Sequence, residues 1–436
     1  MGKRPGNSPS VQETQQQILT LEDCYRLALP LSEDVAIQRE EVKKTAAQFY
    51  KATGAAIGDV DFVATDFFQQ DRGGGASGDG SVGSTFTSTE RRERSFQFSQ
   101  PIFQGFRTLG AVAGAGSLRG QRKKERERAE ELLFLDVAAA FYTLLRFEKD
   151  VETTEGIHQL FEERINELNE REKIGRSRAS EVATALARMK IIEADLARAR
   201  GALQIARQNI YFFTGITPQA IKLQETNLPK DIPVLDAVLT AVEERPDVEA
   251  ARQARKTAWQ AVIVAQSEFW PTIDLDAKHY EKREGFQNGI DWDALFTIDI
   301  PIFKGGETFG EFKETVSEWR QAKLAYSRTR READLEIRQR YEDMISSLKE
   351  SEALDEAVKA AQENFRLQKE EYDRNLVNNL DVLEALQTFF ETSKQSNVAY
   401  YTMKENYWRF QSAIGNRPDG SIEMPAGPEA ATGELP

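Results

Sequence analysis

Two hydrophobic periods alternate along this chain. From Phe312, apolar residues recur mostly at steps of three, four or seven through Val316, Trp319, Tyr326, Ala333, Ile337, Tyr341, Met344 and Leu348. That spacing keeps one helix face against a partner helix, and the faces between are rich in Lys, Arg and Glu. None of the 14 prolines falls between Pro101 and Pro218 or between Pro301 and Pro418, so each interval can be helical almost throughout. Helix formers give way to Gly, Ser and Asn only near Lys173–Ser180 and Arg374–Asn379. Each interval therefore predicts a helix of about 65 residues, a tight turn and a returning helix of about 35, with Ser180 and Asn379 as helix-start residues. At 1.5 Å per residue the longer arm reaches roughly 100 Å, far beyond an ordinary globular core.

Before each helical interval the period drops to two. Val60, Phe62 and Ala64 alternate with Asp59 and Asp61, and Phe96 and Phe98 with Ser95, Gln97 and Ser99. Further on, Ile273, Leu275 and Ala277 alternate with Asp274, Asp276 and Lys278, and Phe296, Ile298 and Ile300 with Thr297 and Asp299. One apolar and one polar face at period two predicts four strands. Four strands cannot close a barrel, and an open sheet with this much exposed hydrocarbon would aggregate in water. Their length suits strands crossing a bilayer, which would turn Phe96, Phe98, Phe296 and Ile298 to lipid and the acidic positions to a lumen. Trp270 and Trp292 at segment ends suit an interfacial girdle; a sandwich sheet with one wet face fits the periodicity equally well.

The two halves are one unit written twice. Gln100–Gly110 and Ile300–Gly310 align at an offset of 200, with Pro101, Ile102, Phe103, Gly105, Thr108 and Gly110 meeting identical residues, Pro301 and Gly305 among them. The offset persists through Val182, Ala185 and Leu186 against Val382, Ala385 and Leu386, and to Gly215 and Pro218 against Gly415 and Pro418. Upstream it becomes 213, where Asp34-Val35 meets Asp247-Val248. The glycine-rich run Gly73–Ser84 accounts for the difference and predicts a flexible loop without phosphate-binding spacing.

Composition narrows the chemistry. The 436 residues carry a formal charge of −14 without a long basic run, which argues against a nucleic-acid partner. No window holds the roughly 18 uninterrupted apolar residues of a spanning helix. The amino terminus lacks a signal's apolar core, so either a signal has been removed or the chain is not exported. The single cysteine, Cys24, sits in a helical pattern as a small buried side chain, and His158 and His279 have no metal-ligand partners at the required spacing. Asp274, Asp276, Asp291, Asp293 and Asp299 follow strand alternation without a calcium-loop pattern. Arg119–Arg128 reads as a solvated helix face. No catalytic constellation or cofactor motif emerges, and no enzyme activity is expected.

Strand hairpin, long helical hairpin, and the same again: with the paired Pro-Ile-Phe-x-Gly corners, Leu19–Leu29, Arg245–Glu249 and Phe269–Ile273, this order resembles the outer-membrane efflux protein (TolC) family over about residues 19–418. The resemblance implies a mainly α fold with a transmembrane β-barrel contribution, in which a homotrimer builds a 12-stranded barrel on an α-helical tunnel. It implies a passive exit duct of a tripartite efflux or type I secretion system, in the outer membrane of a Gram-negative-type cell and extending into the periplasm. Its partners would be outer-membrane lipid, a periplasmic adaptor and an inner-membrane pump. The chain then divides into an N-terminal extension (1–18), repeat 1 (19–218, strand hairpin about 58–101 and helical hairpin 106–214) and an equatorial linker (219–234). Repeat 2 (235–418, strand hairpin about 271–301 and helical hairpin 306–414) and a disordered tail (419–436) complete the chain. The alternative is a soluble, elongated coiled-coil scaffold with dimerisation sheets.

By the resemblance, the closed end lies at the helical tips. The family's aperture acids fall on Glu181, Asp381 and Glu384, and a linking tyrosine on Tyr372. The family's linking arginine is replaced by Val377, with Arg374 and Arg178 as nearby substitutes. Threefold symmetry would gather the acids into a ring that attracts cations; an acid in the first turn of a helix is equally an ordinary stabiliser against the helix dipole.

Overall fold

The computed structural model describes residues 17–70, 90–217, 221–226, 233–284 and 287–416. The expected Gly73–Ser84 loop, almost all of the N-terminal extension and the C-terminal tail lie outside them. In chain order the elements are β1 (Gln17–Leu19), α1 (Leu21–Leu31), α2 (Glu33–Ile57), β2 (Asp59–Phe68), β3 (Glu90–Gln104), α3 (Arg107–Lys173) and α4 (Ala179–Thr214). Next come β4 (Ile221–Leu223), α5 (Leu235–Val238), a 3-10 turn (Leu239–Glu244), α6 (Pro246–Ser267), β5 (Thr272–Arg283), β6 (Trp292–Asp299), α7 (Glu307–Asp373) and α8 (Asn379–Ala413). α3 and α7 are 67 residues each, and α4 and α8 are 36 and 35. The seam positions expected along α7, from Phe312 to Leu348, are its buried or half-buried ones, and Ala333, Ile337 and Met344 are fully buried.

The chain forms two compact units. One comprises Gln38–Arg126 and Asp247–Thr329 and holds the four-stranded sheet, in the antiparallel order β2-β3-β5-β6. Its register gathers one kind of side chain on each face. Val60↔Phe98, Phe62↔Phe96, Ile273↔Ile298 and Leu275↔Phe296 share the apolar side, and Asp59↔Ser99, Asp61↔Gln97 and Asp274↔Thr297 the polar side. The apolar face is bare, Phe296 being 65% and Ile298 63% exposed. Ser99 donates to the Asp276 carboxylate across the polar face.

Each hairpin turns into its long helix at a left-handed corner. Gly105 and Phe106 have φ of 57° and 71°, and Gly305 and Gly306 have 63° and 88°. A bulky residue at such an angle is costly; Phe106 sits there with its ring edge-on to Phe103 and Trp270, at centroid distances of 5.6 and 6.1 Å. Beyond the first corner, α3 and α6 approach closely at small residues. A Cβ on Gly114 would lie 3.3 Å from Gln260, and one on Gly120 3.4 Å from Gln253. That approach corrects the expectation for Arg119–Arg128, which is largely half-buried and ion-paired, with Arg122 2.6 Å from Glu125.

The other unit comprises Met1–Ile37, Glu127–Pro246 and Arg330–Pro436. Its larger core joins α1, the start of α2, α3 and α4 through Cys24, Val35, Val137, Phe141, Ala206 and Ile210, beside the parallel β1–β4 pair. Burial pushes the Cys24 thiol up to about 12, so it is an inert packing group. Thr20 and Asp23 cap α1 reciprocally. The buried Arg245, just before α6, donates to the Ala413 carbonyl at 2.9 Å and to Glu336 at 2.6 Å. Lys404 lies 2.8 Å from Glu225, which also accepts from Tyr400 Oη at 2.8 Å, fastening the stretch after β4 to α8.

Arg245→Ala strands a buried carbonyl and a half-buried carboxylate, and is expected to lower the unfolding free energy by about 2–4 kcal/mol. Urea unfolding in detergent, followed by helical circular dichroism, measures it; Arg245→Lys should recover part of the loss.

Candidate functional site

The two helical hairpins turn identically. At the α3–α4 turn Gly175 has φ of 73°, its N–H donating to Glu172 and that of Arg176 to Arg171. At the α7–α8 turn Asn375 has φ of 59°, its N–H donating to Tyr372 and that of Leu376 to Glu371. These are glycine-type helix stops in which Asn tolerates the left-handed angle. The helix starts differ from expectation by one or two residues. Arg178 precedes α4 without a side-chain cap, because the chain offers no short polar side chain there. Asn378, not Asn379, caps α8, its Oδ1 accepting from Leu380 and Asp381 N–H at 2.7 and 3.2 Å.

Behind the turns Ile157, Phe161, Leu168, Ala185, Ile192, Leu383, Leu386 and Phe390 form a separate apolar cluster with Tyr372 and Val382. Two arginines enter it from α3. Arg164, 4% exposed, spans Asn379 Oδ1 with Nε at 3.0 Å and Nη2 at 2.9 Å. Its guanidinium also lies 3.9 Å from the centre of the Tyr372 ring. Arg171 sits 4.6 Å from the same ring and bridges Glu167, at 3.2 Å, to Asp373. Tyr372 is thus held between two cations, and its hydroxyl lies 3.5 Å from Glu181 Oε2. Arg188 of α4 adds a bond to the Leu383 carbonyl of α8 at 2.9 Å.

The residues singled out from sequence divide accordingly. Glu181 and Tyr372 come together, with Ser177 also donating to Glu181 at 2.8 Å. Asp381 serves as a helix-start acid, its carboxylate accepting from Asn378 N–H at 3.0 Å. Glu384 is exposed. Arg374 is exposed too, and among the described residues its side chain makes no hydrogen bond or ion pair; Val377 packs on the cluster instead. Arg164 and Arg171 supply the link that those positions do not. A signal for them exists: Ile157, Phe161, Arg164, Leu168 and Arg171 step by four and three, so both arginines occupy seam positions where an apolar residue is the rule. Among the described residues no group of three His, Cys, Asp or Glu could hold a metal ion.

A family model described as outer membrane efflux protein matches residues 68–216 and 238–416. Outer membrane protein TolC of Escherichia coli K12 is 21% identical over 66% of this chain, and the chain spans only 62% of that relative's length. Alkaline protease secretion protein AprF of Pseudomonas aeruginosa is 22% identical over 45% of this chain and 42% of its own. The crystal structure of the outer membrane protein VceC of Vibrio cholerae has the same fold, with a TM-score of 0.80 at 19% identity, over 91% of this chain and 96% of that one.

Arg164→Ala removes a buried fork from Asn379 and a cation from Tyr372, a loss of about 2–3 kcal/mol. Amide hydrogen exchange over 372–385 should quicken by about 30- to 150-fold; Arg164→Lys, without the planar fork, should lie between.

Proposed function

Because this chain belongs to the outer membrane efflux protein family, we propose that it is one of three identical subunits of an exit duct gated at its helical tips. It is an outer-membrane protein that extends into the periplasm, which removes the soluble scaffold as an alternative. Three copies, each giving β2, β3, β5 and β6, make a 12-stranded barrel. Phe96, Phe98, Phe296 and Ile298 face lipid, and Asp59, Asp61, Asp274 and Asp276 line the lumen. The carrying observation is the sheet itself: one apolar face, one polar face and, among the described residues, two unpaired edges. In hydrocarbon an open edge is untenable, so such a sheet must close with others. Trp292, 69% exposed at the start of β6, sits at the headgroup level.

Transport is passive and requires no chemistry from the chain. An inner-membrane pump supplies the energy and a periplasmic adaptor joins pump to duct. At the tips the Arg164–Tyr372–Arg171 stack holds one hairpin against the other, and opening requires that this contact yield. Glu181, Asp381 and Glu384, repeated around the threefold axis, set a negative potential at the aperture and draw in cations. Asp381 serves its own helix as a capping acid and the ring at once.

Electron microscopy in detergent should show a threefold particle with a belt at one end; a belt-free, asymmetric particle would refute the assembly. In planar bilayers the triple variant Glu181→Gln, Asp381→Asn, Glu384→Gln should lose most of the cation selectivity and any block by divalent cations. Unchanged selectivity would place the aperture elsewhere.

A further inference from the structure

The duplication extends to strand register, so each hairpin serves as a reference for the other. With the first strands numbered 213 apart and the second strands 200 apart, Val60↔Phe98 corresponds to Ile273↔Ile298, a pair observed. Further from the helices, Ala64↔Arg94 corresponds to Ala277↔Ala294, and Asp66↔Arg92 to His279↔Trp292. All these positions share the apolar face, because each lies an even number of residues from Val60, Phe98, Ile273 or Ile298. The second hairpin ends that face in Ala294 and Trp292. The first ends it in two arginines.

β5 brings a third cation to the same level. The register of β3 on β5 shifts by one residue between Arg94 and Ser95, and Lys282 stands directly opposite Arg94. An unshifted ladder, continued from Ser95↔Tyr280, would have opposed Arg94 with Glu281, an ordinary ion pair. The bulge sets two cations face to face instead, an arrangement that costs stability when nothing lies between them.

The charges on this face are also ordered along the strands. The row next to Phe62 and Phe96 holds Arg94 and Lys282. The following row holds Arg92 with Asp66 opposite it on one side and, on the other, Glu284, whose N–H donates to the Arg92 carbonyl. Glu90 comes after. Arg94 lies 2.9 Å from Asp66, Lys282 2.9 Å from Glu284, and Arg92 3.9 Å from Glu90. Cations and acids are equal in number, so net charge does not distinguish the patch. Its order does: the two opposed cations sit at the apolar boundary and all three acids lie further out. A lipid layer has the complementary order, with phosphates directly on the hydrocarbon and counter-cations beyond them.

We propose that Arg94 and Lys282 bind a phosphate of a lipid headgroup at the outer boundary of the bilayer, with Arg92 beside it, and that the second hairpin has no such site. This deepens the lipid-facing reading of the sheet given above and rests on it. Arg94 is held on its β2 side by Asp66 and by the Thr65 and Glu93 carbonyls, at 3.3 and 3.1 Å. A guanidinium fixed in that way and an ammonium across from it approach a tetrahedral anion from two sides. The bound phosphate offsets the repulsion that the bulge creates.

Native mass spectrometry of the protein, purified in non-ionic detergent and freed of lipid, tests the site. The probes are diphosphoryl lipid A and the same lipid with its phosphates removed. The wild-type chain should retain about tenfold more of the phosphorylated lipid, and Arg94→Gln with Lys282→Gln should abolish the preference. Lys282→Gln alone leaves the bonds of Arg94 to β2 in place and should reduce the preference by about threefold, which keeps the test open if the double variant does not fold. Lys359→Gln, which removes an exposed ion-paired cation on α7, should change nothing. Equal retention of both lipids by a threefold particle, or an unchanged preference in Lys282→Gln, would overturn the site and leave the lipid-facing sheet standing. Loss of the preference in millimolar inorganic phosphate would assign the pair to a free anion and overturn the lipid. A belt-free monomer that retains neither lipid would overturn the reading of the sheet as well.

Discussion

Hydrocarbon does not hydrogen-bond, and that single property governs this architecture. A strand in a bilayer must find a partner for every backbone N–H and C=O, and helices can do so internally whereas a sheet must close. The sheet holds four strands, a number that cannot close, and among the described residues the outer edges of β2 and β6 are unpaired. Its apolar strand face would be an aggregation surface in water but is a lipid-facing surface in a membrane. Among the described residues no helix is long and apolar enough to span, so the sheet is the part of the described chain suited to hydrocarbon. The helices are built for water: their faces between seams are charged, and their ion pairs are mostly exposed partners three or four residues apart, such as Lys43 with Glu40 and Lys359 with Asp355.

Exposed pairs of that kind add little stability each, so the long helices depend on their seams. The two apolar clusters fall at different places along them, one around Phe141 and Ile210, the other behind the turns around Phe161 and Leu386. The second is interrupted by Arg164 and Arg171, which trade hydrophobic burial for directional bonds to Asn379 and Tyr372. A fully apolar seam would hold the hairpins together with no preferred point of release. A cation stack with hydrogen bonds is strong while its partners are aligned and is lost over a small displacement, because hydrogen bonds weaken steeply with angle and distance. On the proposed gating, a tip that opens gains from contacts of the second kind.

Much of this was legible in the residues. Proline spacing and the 3-4 repeat set the helical hairpins, and alternation set the strand faces down to individual positions such as Phe96 and Ile298. The duplication marked both corners. The tip was legible only in part. Glu181 and Tyr372 could be reached by position, whereas Arg164 and Arg171 were marked only by their seam positions, a signal easily taken for one more solvated charge until the partner helix is in place. The caps slipped by one or two residues because Ser180 and Asn379 are good cap residues next to the true boundary, and only backbone geometry decides between neighbours. Arg119–Arg128 misled for a related reason: Gly114 and Gly120, which let α6 come near, lie on the same helix and carry no apolar signal of their own.

The duplicated halves share register and turn geometry but not surroundings, and the difference explains where they diverged. The first corner is packed against the end of α6, so Gly105 is fixed by contact as well as by angle, and the next position can carry Phe106, whose ring finds Phe103 and Trp270. Among the described residues the second corner has no such packing, and there a second glycine, Gly306, takes the left-handed angle with no side chain to place. At the tips the same logic runs in reverse: Gly175 in the first half and Asn375 in the second hold one backbone angle, and neither is crowded enough to demand glycine for space. Backbone conformation is thus the part of the unit that both copies preserve, and side chains differ wherever the neighbouring element differs. In the proposed three-copy assembly, a duplicated subunit that fits itself on one side and another copy on the other is under that constraint at every equivalent position.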